Sequence, residues 1–389
     1  MTTLDADPPA PLLLPNTAEP ALVTLDCVPP EGVAVVPPVP SMLAATLSAP
    51  LRPPWALPDA VDPLALSLNE NPFSPLASVR SAIVESISSA NRYPEFYPQE
   101  LRHLIADHIG AADHQVVVGA GATGVILQVL QALTTPGERV VYASPTFDGY
   151  PIMARMARLE PITVPLDRNG CHHLDQMADA AATARVVAIC RPHNPTGTVE
   201  LAPAIEHFLR RIPDDTIVLV DEAYAEFLAP QYRIDWMPLI RRHPNVVVVR
   251  TFSKAYGLAG LRIGYGFSSP EVAEKLWAMQ LPFGIGMTSM VAVAASYRAE
   301  AQLRMRVRLL TSERRKLRNR LRAKGIHSTD SHANFLYLPA VDRPWQEALG
   351  TQDLRVRFYP DGAVRITIGA RTSTRAVLGA LRNRTQGAG

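Results

Sequence analysis

Lys254 occupies a position from which a protein core usually excludes charge. It follows four valines at positions 246–249, and such an apolar run is typical of a strand that is buried on both faces. The other three lysines, Lys275, Lys316 and Lys324, lie in polar segments with a helical pattern. Burial lowers the pKa of a lysine, and a neutral amine is the nucleophile that forms Schiff bases with carbonyl groups. Lys254 is therefore a candidate catalytic nucleophile.

The residues around Lys254 have the types that bind a phosphate. Ser253 precedes the lysine, while Gly257, Gly260 and Arg262 follow it. Arginine binds phosphate through two parallel hydrogen bonds, and glycine lets the backbone approach an oxyanion closely. An isolated lysine at a strand end more often extends into solvent. The adjacent phosphate site instead indicates a cofactor with both a carbonyl group and a phosphate, pyridoxal 5′-phosphate (PLP).

Residues 251–262, with the sequence TFSKAYGLAGLR, resemble the lysine motif of the fold-type I PLP-dependent aminotransferases. The resemblance is closest to the branch that contains histidinol-phosphate aminotransferase, and it extends over about residues 60 to 385. It implies that Lys254 bonds the cofactor and transfers protons during catalysis. It also implies that Ser253 and Arg262 bind the cofactor phosphate.

A glycine-rich turn provides a second group of phosphate ligands. Residues 116–118 are a short apolar strand that runs into the turn at 119–124, and a helical pattern follows. Backbone N–H groups at a helix N-terminus bind phosphate, although a dinucleotide fold has the same local feature. That fold is disfavoured, because the chain lacks the leading βαβ unit and the acidic residue that it needs. The resemblance assigns Gly121, Ala122 and Thr123 to the phosphate, with Ala122 and Thr123 standing where the family usually has an acidic pair.

Asp221 ends a fully apolar run and is the candidate partner of the cofactor ring. A carboxylate at the end of a buried strand is unfavourable unless a cation pairs with it. A protonated pyridine nitrogen is such a cation. Tyr224 lies three residues further on and is expected to reach the phenolic oxygen of the ring.

Other site residues follow from the resemblance. Asn194 begins an Asn-Pro-Thr-Gly turn after an apolar strand, and it corresponds to the family asparagine that contacts both the cofactor and the substrate. Phe147 stands where the family has an aromatic ring stacked on the cofactor. Asn71, in the segment Leu-Asn-Glu-Asn-Pro, is expected near the substrate. Tyr93 corresponds to a tyrosine that reaches the cofactor phosphate of the partner subunit, which predicts a homodimer.

Two arginines near the C-terminus are candidate substrate ligands. Arg365 lies among alternating apolar residues, which predicts a strand, and the resemblance assigns it to the anionic end of the substrate. Arg357 resembles the family's second arginine, which binds a phosphate. Together they predict a phosphorylated donor such as histidinol phosphate, with 2-oxoglutarate as the acceptor.

Arg365 would equally bind an α-carboxylate. An aromatic or specialised amino-acid aminotransferase is therefore one alternative, and a phosphothreonine-type PLP decarboxylase is another. A catalytically silent PLP-binding regulator is disfavoured, because Lys254 is present and the first 51 residues contain no helix-turn-helix pattern.

The elements that position these residues form an α/β fold with a mostly parallel sheet, which collects the strand ends in one crevice. We expect a large PLP-binding domain at 92–282 and a smaller α+β domain at 52–91 and 283–389. Residues 1–51 contain 11 of the 36 prolines and no lysine or arginine, which predicts an extended or disordered arm.

Composition sets limits on partners and location. A formal net charge of +2 gives no reason to expect a nucleic acid or a membrane as partner, and no apolar run approaches the length of a membrane span.

The three cysteines lack metal-ligand spacing, which is typical of reduced thiols in a cytoplasmic protein. His172 and His173 are expected at the surface rather than in a metal site. The basic run at 304–324 is interpreted as a solvated helix face.

Overall fold

The computed structural model describes residues 59–340, 344–350 and 353–381. The predicted arm at 1–51 therefore lies outside the described residues. Within these ranges, no helix has the length and the apolar character needed to cross a membrane.

The described strands form two sheets. In chain order they are β1 (Ala65–Leu66), β2 (Val116–Gly119), β3 (Arg139–Ser144), β4 (Glu160–Pro165), β5 (Val186–Cys190), β6 (Ile217–Asp221), β7 (Val246–Thr251), β8 (Gly264–Phe267), β9 (Phe335–Leu338), β10 (Arg355–Phe358) and β11 (Val364–Thr367). The large sheet has the order β2-β8-β7-β6-β5-β3-β4, and the small sheet has the order β1-β10-β11-β9.

Six strands of the large sheet run in one direction, and β8 runs opposite to them. The prediction of an α/β fold with a mostly parallel sheet is confirmed. Because β8 is reversed, its N-terminal end lies at the edge where the other strands end. That reversal brings the segment before β8 to the same edge as the segments that follow β2, β5, β6 and β7.

The described α-helices cover both faces of the large sheet and one face of the small sheet. They are α1 (Ala77–Ser86), α2 (Gln99–Ile109), α3 (Gly121–Leu133), α4 (Gly149–Met156), α5 (Leu174–Ala181), α6 (Ala202–Leu209), α7 (Trp236–Arg242), α8 (Pro270–Trp277), α9 (Met287–Arg298), α10 (Glu300–Arg322), α11 (Trp345–Leu349) and α12 (Arg371–Ala380).

The four valines of β7 show why the sheet is buried on both sides. Side chains alternate along a strand, so Val246 and Val248 enter one apolar cluster, which also contains residues of α2 and α9. Val247 and Val249 enter the opposite cluster, which contains residues of α3 and α4. All four are fully buried. This two-sided core fixes the position at which β7 ends, and therefore the position of the segment that carries Lys254.

The small sheet combines two distant parts of the chain. β1 pairs in parallel with β10, and β11 pairs antiparallel with both β10 and β9. Arg357 lies directly opposite Arg365 in this register. The division into domains at 52–91, 92–282 and 283–389 stays a prediction.

Two local expectations differ from the structure. His172 is buried rather than at the surface, and its Nδ1 lies 2.8 Å from a carboxylate oxygen of Glu200. α10 is not a uniformly solvated basic helix, because Arg314 is only 8% exposed.

A buried ion-pair group stabilises the end of β6. Glu222 is 1% exposed, and its carboxylate lies 3.3 Å from Arg191 Nη1 and 2.7 Å from Arg250 Nη2. A single carboxylate therefore compensates two guanidinium groups. Removing one partner from a buried pair leaves an uncompensated charge in the interior.

We expect Glu222→Gln to lower the free energy of unfolding by about 3–5 kcal/mol, because two buried cations lose their counter-charge. Glu300→Gln is the matched control, since Glu300 pairs with Arg304 at the surface and its loss should have an effect of about 1 kcal/mol or less. Urea unfolding of both variants measures the difference. Equal effects of the two substitutions would contradict this assignment.

Candidate active site

The predicted site residues meet at one edge of the large sheet. Gly121 follows β2, Asn194 follows β5, and Asp221 ends β6. Lys254 follows β7, and Arg262 precedes the reversed strand β8. The first four residues come at or after the end of a strand, whereas Arg262 comes before its strand and reaches the shared edge because β8 is antiparallel.

Lys254 is half-buried, and its Nζ donates a hydrogen bond to the backbone carbonyl of Leu68 at 3.0 Å. Burial, together with the cations Arg365 and Arg262, lowers the pKa of Lys254 to about 8, against opposing effects of Glu70 and Asp221. At that pKa about half of the amine is neutral at pH 8, whereas an ordinary lysine is almost entirely charged there.

Asn71 holds the backbone around the lysine. Its Nδ2 donates to the carbonyl of Ala255 at 3.0 Å and lies 3.5 Å from that of Lys254. The structure therefore places Asn71 beside the lysine segment, and its contact with substrate stays a prediction.

Asp221 is a buried carboxylate that pairs with no cation of the described residues. Its Oδ1 accepts from the backbone N–H of Ala223 at 3.0 Å, and its Oδ2 accepts from the Tyr150 hydroxyl at 3.0 Å. Among the described residues it forms no ion pair. Burial raises the pKa of Asp221 to about 6, although Tyr150, the Ala223 N–H and Lys254 act in the opposite direction. Sequence reasoning missed Tyr150, because a buried tyrosine in an apolar helix has the same pattern as an ordinary core residue.

Tyr224 is also buried, and its hydroxyl accepts a hydrogen bond from Asn69 Nδ2 at 3.0 Å. Asn69 is in turn held by Thr367, whose Oγ1 accepts from its backbone N–H at 2.9 Å, and by Asn334, which donates to its carbonyl at 3.1 Å. The asparagine of the Leu-Asn-Glu-Asn-Pro segment that contacts Tyr224 is thus Asn69, which sequence reasoning did not select. The sequence did contain an indication of its role, because asparagine is one of the residues that tolerate the left-handed backbone conformation found at position 69.

Arg365 is a buried cation that is held by neutral oxygens. It donates from Nη1 to the side-chain oxygen of Asn194 and from Nη2 to the carbonyl of Ser67 at 2.6 Å. Its Nε has no hydrogen-bond partner, and no carboxylate among the described residues pairs with it. The arrangement leaves the charge of Arg365 uncompensated.

Arg357, unlike Arg365, pairs with a carboxylate. The two arginines are directly opposite each other on β10 and β11, and like charges in that position repel. Arg357 Nη2 lies 2.8 Å from Asp148 Oδ2, so one of the two charges is already neutralised. Asp148 was not predicted, because it lies 209 positions away in the sequence from its partner.

Arg262 forms a cradle with the glycine-rich turn. Its Nη1 lies 3.4 Å from Ser253 Oγ, and its Nη2 lies 3.5 Å from Thr123 Oγ1. Gly121 has a φ of +74°, and a Cβ at that position would lie 2.4 Å from Arg262 Nη2. Position 121 therefore requires glycine for two reasons: the left-handed backbone conformation, and the close approach of the guanidinium. Ala122, at the same turn, packs partly buried against the apolar cluster under the sheet edge.

The two predicted aromatic ligands lie in different surroundings. Phe147 is half-buried, with its ring centroid 5.7 Å from that of Tyr150, the residue that binds Asp221. Tyr93 is 81% exposed, and its ring packs against Phe283 with centroids 4.8 Å apart.

The residues at this edge fit PLP. Lys254 supplies an amine with a lowered pKa, and Asp221 supplies a buried carboxylate that forms no ion pair within the described part of the chain. Arg262 with the turn at 119–124 supplies donors for a phosphate. Each group matches one part of the cofactor: its aldehyde, its ring nitrogen and its phosphate. Fold and site together define an enzyme of the fold-type I, PLP-dependent class.

Comparison with known proteins gives the family. The profile of the family aminotransferase class I and II matches residues 61–382, and the chain belongs to this family. The aromatic amino acid aminotransferase of Cutibacterium acnes is 40% identical over 307 residues, which are 78% of this chain and 87% of that protein. That of Streptomyces avermitilis is 39% identical over 315 residues, 80% of this chain and 88% of that protein.

A solved structure is similar in fold. Histidinol-phosphate aminotransferase from Sinorhizobium meliloti, in complex with PLP, has a TM-score of 0.76 at 24% identity and covers 82% of this chain and 90% of its own. The chain is a PLP-dependent aminotransferase.

We expect borohydride reduction of the PLP-loaded enzyme to fix the cofactor to Lys254, because a pKa of about 8 leaves about half of this amine neutral at pH 8. Peptide mapping after reduction identifies the labelled lysine. Lys275, Lys316 and Lys324 are internal controls and should remain unlabelled, and Lys254→Arg should carry no label. Label on one of the three control lysines would contradict the assignment of this site.

Proposed function

We propose that this enzyme transfers the amino group of an aromatic amino acid to a 2-oxo acid such as 2-oxoglutarate. This departs from the phosphorylated donor that the sequence alone favoured. The observation that carries the proposal is the unequal pairing of the two arginines: among the described residues Arg365 has no carboxylate partner, whereas Arg357 pairs with Asp148.

The charge balance favours a donor with one carboxylate. A phosphate dianion would need both guanidinium groups, and Asp148 competes with it for Arg357. An α-carboxylate needs Arg365 alone, whose remaining donors suit a bidentate contact.

Aromatic rings beside the arginines support an aromatic donor. Tyr337 lies opposite Arg365 on β9, so the two residues share a face of the small sheet. Tyr359 packs against Tyr337 with ring centroids 5.7 Å apart. Flat apolar surfaces of this kind bind an aromatic side chain well. The two relatives described above, which are named aromatic amino acid aminotransferases, agree with this choice.

The site residues would act as follows. PLP supplies an aldehyde that bonds amines reversibly and a ring that accepts electrons. Lys254 would hold the cofactor, and would then accept the proton of the substrate α-carbon and deliver it to carbon C4′ of the cofactor. Asp221 keeps the ring nitrogen protonated, while Asn194 and Tyr224 bind the ring oxygen. Ser253, Arg262 and residues 121–123 hold the phosphate, and Phe147 covers the ring.

We also infer a homodimer. Four exposed side chains are apolar or aromatic, namely Tyr93, Phe96, Leu281 and Phe283. The ring of Phe283 packs against those of both Tyr93 and Phe96. A contiguous apolar surface of this kind is typical of a protein interface. The second copy would cover it and receive Tyr93 at its own cofactor site.

The free thiols of Cys171 and Cys190 suit a reducing compartment such as the cytoplasm.

Steady-state kinetics with phenylalanine and with histidinol phosphate tests the donor. We expect phenylalanine to be the better substrate. Arg365→Gln should lower kcat/KM for phenylalanine about ten- to a hundredfold, because a charge-assisted contact is lost, whereas Arg357→Gln should have a small effect.

Asp148→Asn is the complementary variant. It releases Arg357 from its ion pair, so it should raise kcat/KM for histidinol phosphate relative to phenylalanine. Efficient turnover of histidinol phosphate but not phenylalanine by the unmodified enzyme would contradict the proposed donor, while labelling of Lys254 would still support the aminotransferase site.

A further inference from the structure

A second cavity lies outside the catalytic site. It has a volume of about 880 Å³ and lies between α10 and the segment at 225–234. Lys254, Asp221 and Tyr224 do not line it. Its size is within the range of small-molecule sites, about 300–1,000 Å³.

One face of α10 forms a wall of this cavity, and the face is rich in arginine. Residues three and four positions apart lie on the same side of a helix. The basic side chains of α10 that line the cavity are Arg304, Arg308, Arg314, Arg315 and Arg318. They extend along about 21 Å of the helix, since each residue adds about 1.5 Å.

Arg314 is the buried member of this group. Its Nη1 donates to the carbonyl of Ala333, and no ion pair with a described carboxylate neutralises it. Burial, and then the neighbouring cations Arg318 and Arg315, lower the pKa of Arg314 to about 10, with Asp330 acting in the opposite direction. Asp330 itself pairs with Arg318 and lies 3.4 Å from His332. Of the three neighbouring guanidinium groups Arg314, Arg315 and Arg318, only that of Arg318 pairs with Asp330.

The other charged residues of the cavity do not neutralise the excess positive charge of these arginines. Three arginines of the lining are paired: Arg304 with Glu300, Arg250 with Glu222 and Arg318 with Asp330. Arg308 and Arg315 are exposed and form no ion pair with any described carboxylate. One carboxylate in the lining, Glu226, has an oxygen without a partner, and burial raises its pKa to about 7.

We propose that this cavity is a second ligand site, separate from the catalytic site, for a small molecule with two or more oxyanion groups. Arg314 would hold one oxyanion at the closed side, because its buried guanidinium forms no ion pair with a carboxylate of the described residues. Arg308 and Arg315 would hold the other at the open side. Phosphate and carboxylate groups share the geometry that arginine binds through two hydrogen bonds.

Isothermal titration of inorganic pyrophosphate and of citrate into the PLP-loaded, full-length enzyme at constant ionic strength tests the proposal. We expect saturable binding of at least one probe. The double variant Arg308→Gln/Arg315→Gln should weaken it tenfold or more, because charge-assisted contacts are lost. Both residues are exposed, so this variant should fold even where a change at Arg314 would not.

Two control variants separate this site from other sources of anion binding. Arg320→Gln removes an exposed arginine from the opposite face of α10 and should leave the Kd unchanged. Arg357→Gln alters the catalytic site and should also leave it unchanged. Tighter binding of pyrophosphate identifies a phosphate ligand, and tighter binding of citrate identifies a carboxylate ligand. The proposal is overturned by no saturable binding, by binding that survives the double variant, or by an equal loss in either control.

Discussion

The buried carboxylate of Asp221 is the constraint on which the catalytic site depends. It ends a strand in which every residue is buried, and its hydrogen-bond partners are neutral groups, the Tyr150 hydroxyl and the Ala223 N–H. The pKa of about 6 means that burial disfavours the charged form. A rise in pKa of about two units corresponds to about 3 kcal/mol. The protein without cofactor loses this amount from its free energy of unfolding at neutral pH. A cation beside Asp221 would compensate the charge of the carboxylate, and the protonated ring nitrogen of PLP is the cation that the site fits.

Sheet topology explains how the other groups reach this carboxylate. Parallel strands end at one edge, and the reversed strand β8 brings Arg262 to that edge from the opposite direction. The small sheet adds Arg365, whose Nη1 bonds the side chain of Asn194 across 171 positions of sequence. The catalytic site therefore belongs to no single segment. It forms only when the valine-rich core fixes where each strand ends.

Much of this arrangement could be predicted from the sequence. Apolar runs that end in Asn194, Asp221 and Lys254 indicate parallel strands with polar ends, and the motif around Lys254 indicates the cofactor. Tyr150, Asn69 and Asp148 could not be predicted in the same way, because each acts through a partner at least 71 positions away. The residue types of Arg357 and Arg365 likewise do not reveal that Asp148 neutralises one of them, so the sequence favoured a dianionic donor. The burial of Arg314 escaped prediction because it depends on the packing of α10 against the segment that contains Ala333.

The most direct test of this account is the unfolding free energy of Asp221→Asn, with and without PLP, between pH 4 and pH 8. The folded-state pKa of Asp221 is raised above its unfolded value, so its unfavourable effect is absent below about pH 4 and develops as the pH rises through about 6. We expect the variant without cofactor to match the unmodified protein at pH 4 and to be more stable by about 1–3 kcal/mol at pH 8. PLP should stabilise the variant less than it stabilises the unmodified enzyme. A variant that is less stable at pH 8 without cofactor, and that gains as much from PLP as the unmodified enzyme, would contradict the role of Asp221 as the counter-charge of the cofactor.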